Sequence, residues 1–384
     1  MKRLFALALF AFVAALLVTQ FSPAGFDPIA LFASHSSLFG TGALAAGALI
    51  GLTMLDLARA NCGDVERQVI EENINAVPEL KIFPSEQLGA GELSYETLIR
   101  YALPTAGFTD MGGGFAPSNS KTRLERFETF PVGGRIEVPT RLADNWKRGG
   151  AAGYQLFESS GIALAAMIAI GQQIYGGRGL NGKGFPGLKN FTQWGGTYTD
   201  AATGKTYNIT TDALGTTATT GSSVYFVKFG PTAVQLEFGT GSVFTLPDFR
   251  IESIIDPTDA TKKIKVYVSD LEGMAGLQIA SPHAVRRITN LTADAGKGMT
   301  DLLANTVLAN FPVGWAPDAI LMSRRSCTQL QNTRTVTLFG SAAGSPKNQG
   351  LIAPRPTEIN GIPIIETDCI PDNDAIEIAA APNE

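Results

Sequence analysis

The period of the hydrophobic positions changes repeatedly along this chain, and each change predicts an element. Over residues 54–77, Leu55, Ala58, Val65, Val69 and Ile70 share one face, with Asp56, Arg59, Glu66, Arg67 and Glu71 set among them. That spacing predicts a helix, which Pro78 ends. Over 94–106 and again over 123–139 the pattern alternates, with Leu124, Phe127, Ile136 and Val138 against Glu125, Arg135 and Glu137. These stretches read as two arms of a β-hairpin. Between them, residues 107–122 carry three consecutive glycines, one proline and several short polar residues, which predicts a mobile tip. So long a hairpin, with few apolar residues near its end, cannot bury itself on its own chain. It needs a partner surface, such as another subunit.

Residues 151–175 form the longest helical pattern, with Ile162, Ala166, Ile170 and Ile174 in an i, i+4 stripe beside Leu164 and Ile168. The stretch 159–177 has no formal charge, so a membrane span is one reading. Large aliphatic residues are too few among its Ala, Gly, Ser and Gln, and a helix buried between layers of a soluble domain fits better. Gly176-Gly177 stops it. Residues 190–222 read as loops with short strands. Strands follow at 223–229, at 233–238 with Gln235 and Glu237 outward, and at 263–268 with Ile264, Val266 and Val268 inward. Gly230-Pro231 marks a turn, so the first two are expected to pair antiparallel. The pattern then predicts a helix over 297–311, a buried strand over 318–322, a helix over 324–332 capped by Ser323, and a strand over 361–369. There is no fixed repeat and no heptad. The class is α+β with one long central helix.

The length of 384 residues, 45% hydrophobic, suggests two or three domains with real cores. Charge is near balance, 30 basic against 35 acidic residues, so no cationic face dominates. It is unevenly placed: after Lys2 and Arg3 the only charge before Asp56 is Asp27. Residues 4–21 are uncharged and mostly apolar behind that basic start, as in a signal-peptide core or a marginal membrane span. Taken alone, residues 1–51 suggest an exported or membrane-inserted protein. They equally suit a removable leader or translation from a start upstream of the true one.

Candidate chemistry is sparse. The stretch 177–184 (GRGLNGKG) matches a phosphate-binding loop except at its last position, where Gly184 replaces the Ser or Thr that ligates Mg²⁺. A helix also precedes it, where that motif needs a strand, so nucleotide binding is not expected. The only histidines are His35 and His283, too few for an imidazole metal cage. Cys62, Cys327 and Cys369 lie far apart and read as buried reduced thiols. There is no Gly-x-Ser-x-Gly elbow and no His-Glu-x-x-His, and the acidic residues are mostly scattered singly. Arg286-Arg287 and Arg324-Arg325 could touch phosphate, but solvated or interfacial ion pairing is the commoner role of such pairs. No catalytic residue, cofactor or metal is expected.

With these elements in place, the chain from about 52 to 373 resembles the tailed-bacteriophage major capsid proteins of the Hong Kong 97-like fold. The resemblance rests on TMLDLA at 53–58, Ile136-Glu137-Val138, the long helix followed by GKGFPGL at 182–188, and TTATTGSSVYFVKF at 216–229. It continues through 291–311 with Pro312-Val313-Gly314, ILMSRRSCTQL at 320–330, and 361–365 with Thr367-Asp368. It implies a leader over 1–51, an N-terminal arm over 52–90 and an extended hairpin loop over 91–138 lying across a neighbouring subunit. It further implies a peripheral domain over 139–281 with its spine helix at 151–175, an axial domain over 282–340, and a C-terminal strand and tail over 341–384. The implied function is a shell subunit, without enzymatic activity, that assembles with itself through pentamers and hexamers into an icosahedral virion capsid in the host cytoplasm. Scaffolding, portal or decoration proteins would be its partners, packaged double-stranded DNA would be met only non-specifically, and the mature shell would hold no membrane. Gly112, Gly113, Gly114, Lys121, Arg324 and Arg325 are the expected inter-subunit contacts. Some members cross-link subunits through a loop lysine, and Lys121 is the only lysine near this tip. A cargo-filled cellular nanocompartment on the same fold and an exported surface protein are the alternatives.

Overall fold

The computed structural model describes residues 77–89, 91–176, 183–192, 195–200, 203–239, 244–256, 259–334 and 353–377. The apolar leader, the helix expected over 54–77 (all but Val77) and most of the glycine loop at 177–184 lie outside the described residues. In chain order the elements begin α1 (Glu79–Ile82), β1 (Ser85–Gln87), β2 (Ser94–Ala102), β3 (Lys121–Glu128), β4 (Phe130–Pro139), α2 (Thr140–Ala143), α3 (Gly150–Gly176) and α4 (Leu188–Phe191). They continue β5 (Thr197–Thr199), β6 (Thr206–Asn208), β7 (Thr210–Asp212), β8 (Ser222–Val227), β9 (Val234–Phe238), β10 (Phe244–Thr245), β11 (Arg250–Asp256), β12 (Asp259–Ile279) and β13 (Val285–Leu291). The last are α5 (Asp301–Leu308), β14 (Ala319–Met322), α6 (Arg324–Arg334), β15 (Glu358–Ile359) and β16 (Ile362–Glu366).

Two six-stranded sheets organise these elements. The axis of the first is β12, 21 residues long. One of its edges pairs with β4, and the other meets β11, β10 and β9 in turn. Alternation revealed only its middle, where Val266 and Val268 are buried as expected. The second sheet runs β15-β16-β14-β8-β13-β7. Its strands come from both sides of residues 281 and 340, so the divisions expected at those positions run through a single sheet. β-Pairing, rather than chain order, defines that unit.

Three further expectations are corrected. The second hairpin arm divides at Thr129: β3 pairs with β2, but β4 leaves the hairpin and joins β12. Ile136 and Val138 supply β4 with an apolar face that is buried in the body, whereas Leu124 on β3 stays exposed. Next, β8 and β9 do not pair. Gly230, at φ +131°, and Pro231 carry the chain from one sheet to the other, and the only bridge between the flanks, Phe229 with Val234, is parallel. Every residue of both strands is buried, which is the pattern of central strands. Finally, the helix expected over 297–311 is shorter. Gly296 sits at φ +76°, and the Thr300 hydroxyl caps the helix by accepting the Leu303 N–H at 3.2 Å. The cap expected at Ser323 is present, accepting the Ser326 N–H at 3.3 Å.

Helix α3 spans 27 residues, and by length and composition alone it could cross a membrane. Within the subunit it is buried on one side only, not between layers. Ala166, Ile170 and Ile174 of the expected stripe face the body, while Leu156 and Phe157 are exposed. Ile170, Ile174 and Tyr175 enter a core with Phe83, Leu236, Leu277 and the Tyr225/Val227 face of β8. The opposite face of β8, Val224 and Phe226, packs with Ile288, Ile320, Val307 of α5 and Leu330 of α6. The second sheet is thus the wall between two cores, and each large side chain buried there contributes roughly 1.5–3 kcal/mol.

Candidate functional site

Groups able to do chemistry do not converge. Among the described residues no three His, Cys, Asp or Glu are grouped to hold a metal ion. Cys327 and Cys369 are free and buried. Burial and Glu366 push the Cys327 thiol up to about 12, and burial with Glu79 pushes Cys369 up to about 11, so neither forms a thiolate near neutral pH. His283 lies edge-on to Tyr198 at 4.5 Å and Tyr207 at 5.6 Å, and burial, with Arg286, lowers its pKa.

The paired arginines depart from the solvated or interfacial role expected of them. Arg286 is 0% exposed and donates to the carbonyls of Pro282 at 2.6 Å, Val285 at 2.8 Å and Asn310 at 3.3 Å. Burial lowers its pKa to about 10. Arg287, 1% exposed, forms a two-pronged pair with Glu377 at 2.6 and 3.1 Å and lies over the Tyr225 ring. Burial works against that charge, but Tyr225, Glu377 and Asp374 outweigh it and hold the pKa above the ordinary value. Arg325 donates to the carbonyls of Thr220 at 2.8 Å, Asp372 at 2.9 Å and Leu291 at 3.1 Å, so it braces its own subunit. Only Arg324 is largely exposed, paired with Asp368.

Sequence reasoning missed a strap over 371–377. Asp374 exchanges two backbone hydrogen bonds with Gly221, and Lys189 reaches its carboxylate at 3.0 Å. Asn290, at φ +56°, bonds the Glu377 backbone from both sides, each at 2.8 Å. Nothing in the local pattern announced it, because its hydrogen-bond partners lie from 47 to 185 positions away.

The feature that stands apart is the β2–β3 hairpin. Beyond a neck where the Thr105 N–H donates to the Ser118 hydroxyl at 2.9 Å, its tip carries Phe108, Met111 and Phe115, all exposed. Gly112, Gly113 and Gly114 sit at this tip and Lys121 opens β3, every one of them exposed. Leu98, Leu103 and Leu124 are exposed along the arms. The Thr129 N–H closes the base of the hairpin by donating to the Leu93 carbonyl at 2.9 Å, and the Tyr95 phenol ties it to the body by reaching Gln278. Beneath it lie Gln235 and Glu237, expected to face outward but only 5% and 2% exposed, because the hairpin covers them. A cleft of about 710 Å³ separates the arms from the body, with Ile99 and Tyr101 on one wall and Tyr198 and Trp315 on the other. A second surface feature is a ladder of charge on β4, β11 and β12. There Arg135 meets Glu252 at 3.0 Å and Arg250 meets Asp270 at 2.6 Å.

Among curated protein sequences none matches the chain. Among solved structures, the bacteriophage Epsilon15 structure superposes with a TM-score of 0.61 at 16% identity, covering 88% of this chain and 100% of that one. The bacteriophage JBD30 capsid gives a TM-score of 0.45 at 10% identity, over 78% of this chain and 93% of that one. The SrpI encapsulin of Synechococcus elongatus gives 0.36 at 10% identity, over 63% and 97%. The Epsilon15 superposition, over the full length of that chain, carries the fold, which is the Hong Kong 97-like one. A model of the family described as major capsid protein GP7 matches residues 88–376, taking in the hairpin, the second sheet, all of the first sheet but β1, and the strap up to Ile376. With that match covering most of its length, the chain belongs to that major capsid protein family.

Proposed function

We propose that copies of this subunit join through pentamers and hexamers into an icosahedral shell around a tailed-phage genome, assembled in the host cytoplasm. The observation that carries this reading is the hairpin tip, whose Phe108, Met111 and Phe115 have no cover within the subunit. Burying three such side chains contributes roughly 1.5–3 kcal/mol each, in total about 5–9 kcal/mol. One association event costs about 4–15 kcal/mol, so a single contact of this kind does not hold a pair together. Repeated around closed symmetry, heterologous contacts of that strength suffice.

In this reading the hairpin 94–128 lies across a neighbour, with Gly112, Gly113 and Gly114 adapting the tip to non-equivalent positions. Lys121 and Arg324 contribute polar contacts there. The first sheet with α3 forms the peripheral region, and the second with α5 and α6 forms the axial region. Packaged DNA is met only non-specifically, which accords with Arg286, Arg287 and Arg325 being spent on internal bonds. The subunit works by contact rather than catalysis, alone or with scaffolding, portal or decoration proteins. Electron microscopy of the purified full chain tests this: uniform closed particles are expected, and a monomer that persists at high concentration with and without scaffold contradicts it.

A further inference from the structure

The base of the hairpin is built differently from the rest of it. Tyr95 stacks on its cross-strand partner Phe127 with ring centroids 5.4 Å apart, and its phenol reaches Gln278 and, at 3.4 Å, the Glu237 carboxylate. Glu237 stands beside Glu86 in the parallel register of β1 and β9. One amide serves both carboxylates: the Gln235 side chain donates to Glu237 at 2.6 Å and to Glu86 at 3.0 Å. On β12, Gly276 lies opposite Glu237 and brings no charge. A Cβ there would come within 2.6 Å of the Glu128 carbonyl, so the hairpin rests directly on that strand. Farther along the hairpin, Arg123 and Glu125 pair with each other at 3.0 Å, with both side chains open to solvent. Lifting the hairpin would therefore return one carboxylate and two amides to water, and the charge that gains most from water is that of Glu237.

We propose that the hairpin base is a proton-controlled hinge, in which protonated Glu237 favours the hairpin seated on the sheet and ionised Glu237 favours the hairpin lifted. With the hairpin seated, burial raises the Glu237 pKa and Glu86 raises it further, while the bonds from Gln235 and Tyr95 work against them. With the hairpin lifted, the side chain regains water and its pKa falls back toward the ordinary glutamate value, with Glu86 on β1 still raising it. The seated state thus holds the proton more tightly. Its advantage is complete in acid and is lost as pH rises from the ordinary glutamate value through the raised one. The hinge belongs to the single subunit and does not depend on shell formation.

The test is hydrogen exchange on the unassembled full-length chain from about pH 4 to about pH 7, with rates corrected for intrinsic pH dependence. In the parent, protection of the amides of β2 and β3 should fall severalfold as pH rises. In Glu237→Gln, which keeps the shape but cannot ionise, it should stay high and flat, whereas Glu272→Gln, an exposed change on β12, should keep the parent slope. Tyr95→Phe should lower protection at every pH. A flat parent profile, a slope that survives in Glu237→Gln, a slope lost in Glu272→Gln, or unchanged protection in Tyr95→Phe overturns the hinge.

Discussion

Replacing Glu377 with alanine removes the carboxylate that Arg287 holds at 2.6 and 3.1 Å and leaves the backbone of the strap in place. The Asn290 bonds survive, because both go to the Glu377 main chain. What remains is a guanidinium 1% exposed, with Ser223 at 2.9–3.0 Å and the Thr192 carbonyl at 3.3 Å as neutral acceptors. The next acid, Asp374, is held by Lys189 at 3.0 Å. Breaking a buried ion pair from one side costs about 3–5 kcal/mol. The Glu377 side chain is 19% exposed, so water partly screens the loss and the lower end applies, about 3 kcal/mol. With an unfolding entropy of about 2.1 cal/mol/K per residue over 384 residues, the melting temperature should then fall by about 4 °C. Differential scanning calorimetry of the unassembled subunit measures it. Arg287→Met combined with Glu377→Leu removes both charges and should recover at least half the loss, since the cost lies in the stranded charge. A loss under about 1 kcal/mol in Glu377→Ala, or a double variant no better than the single, refutes the reasoning.

Other outcomes follow from the same geometry. Asn290→Ala loses both strap bonds and places a less suitable residue at φ +56°, and should cost about 2–4 kcal/mol by chemical denaturation, with the fold retained. Alkylation at about pH 8 should leave Cys327 and Cys369 unmodified in the folded subunit and modify both after unfolding, as read by peptide mass spectrometry. Changing Phe108, Met111 and Phe115 together to Asp should leave the subunit's melting temperature within about 2 °C of the parent, because these side chains are exposed, and should abolish particle formation in light scattering. Arg250→Ala should leave the midpoint of chemical denaturation unchanged, because its partners Glu252 and Asp270 share an exposed face where water screens the pair.

What could be read from the pattern was what local spacing controls. The long helix, the cap at Ser323 and the buried β14 depend on neighbours within a few residues. The hairpin arms were legible for the same reason, but not where the second arm divides, since that is decided by β12, more than a hundred residues on. β13 was missed because Arg286, Arg287, Thr289 and Asn290 give it no apolar alternation, although every one of its residues is buried. Gln235 and Glu237 alternate as solvent-facing residues do, yet the hairpin covers them. The candidate site divides along the same line. A long glycine-tipped hairpin without a local partner is visible in sequence, whereas the apolar side chains its tip presents, its seat on Tyr95, Gln278 and Glu237 and the strap over 371–377 emerge only from the structure.

The central claim is that the exposed hairpin is completed by another copy of this chain. Cryo-electron microscopy of the purified full chain, assembled at high concentration, tests it most directly. Closed shells in which Phe108, Met111 and Phe115 of each hairpin are buried against a neighbouring subunit are the expected result. Particles in which those side chains remain in solvent, or a field of dispersed monomers, contradict it.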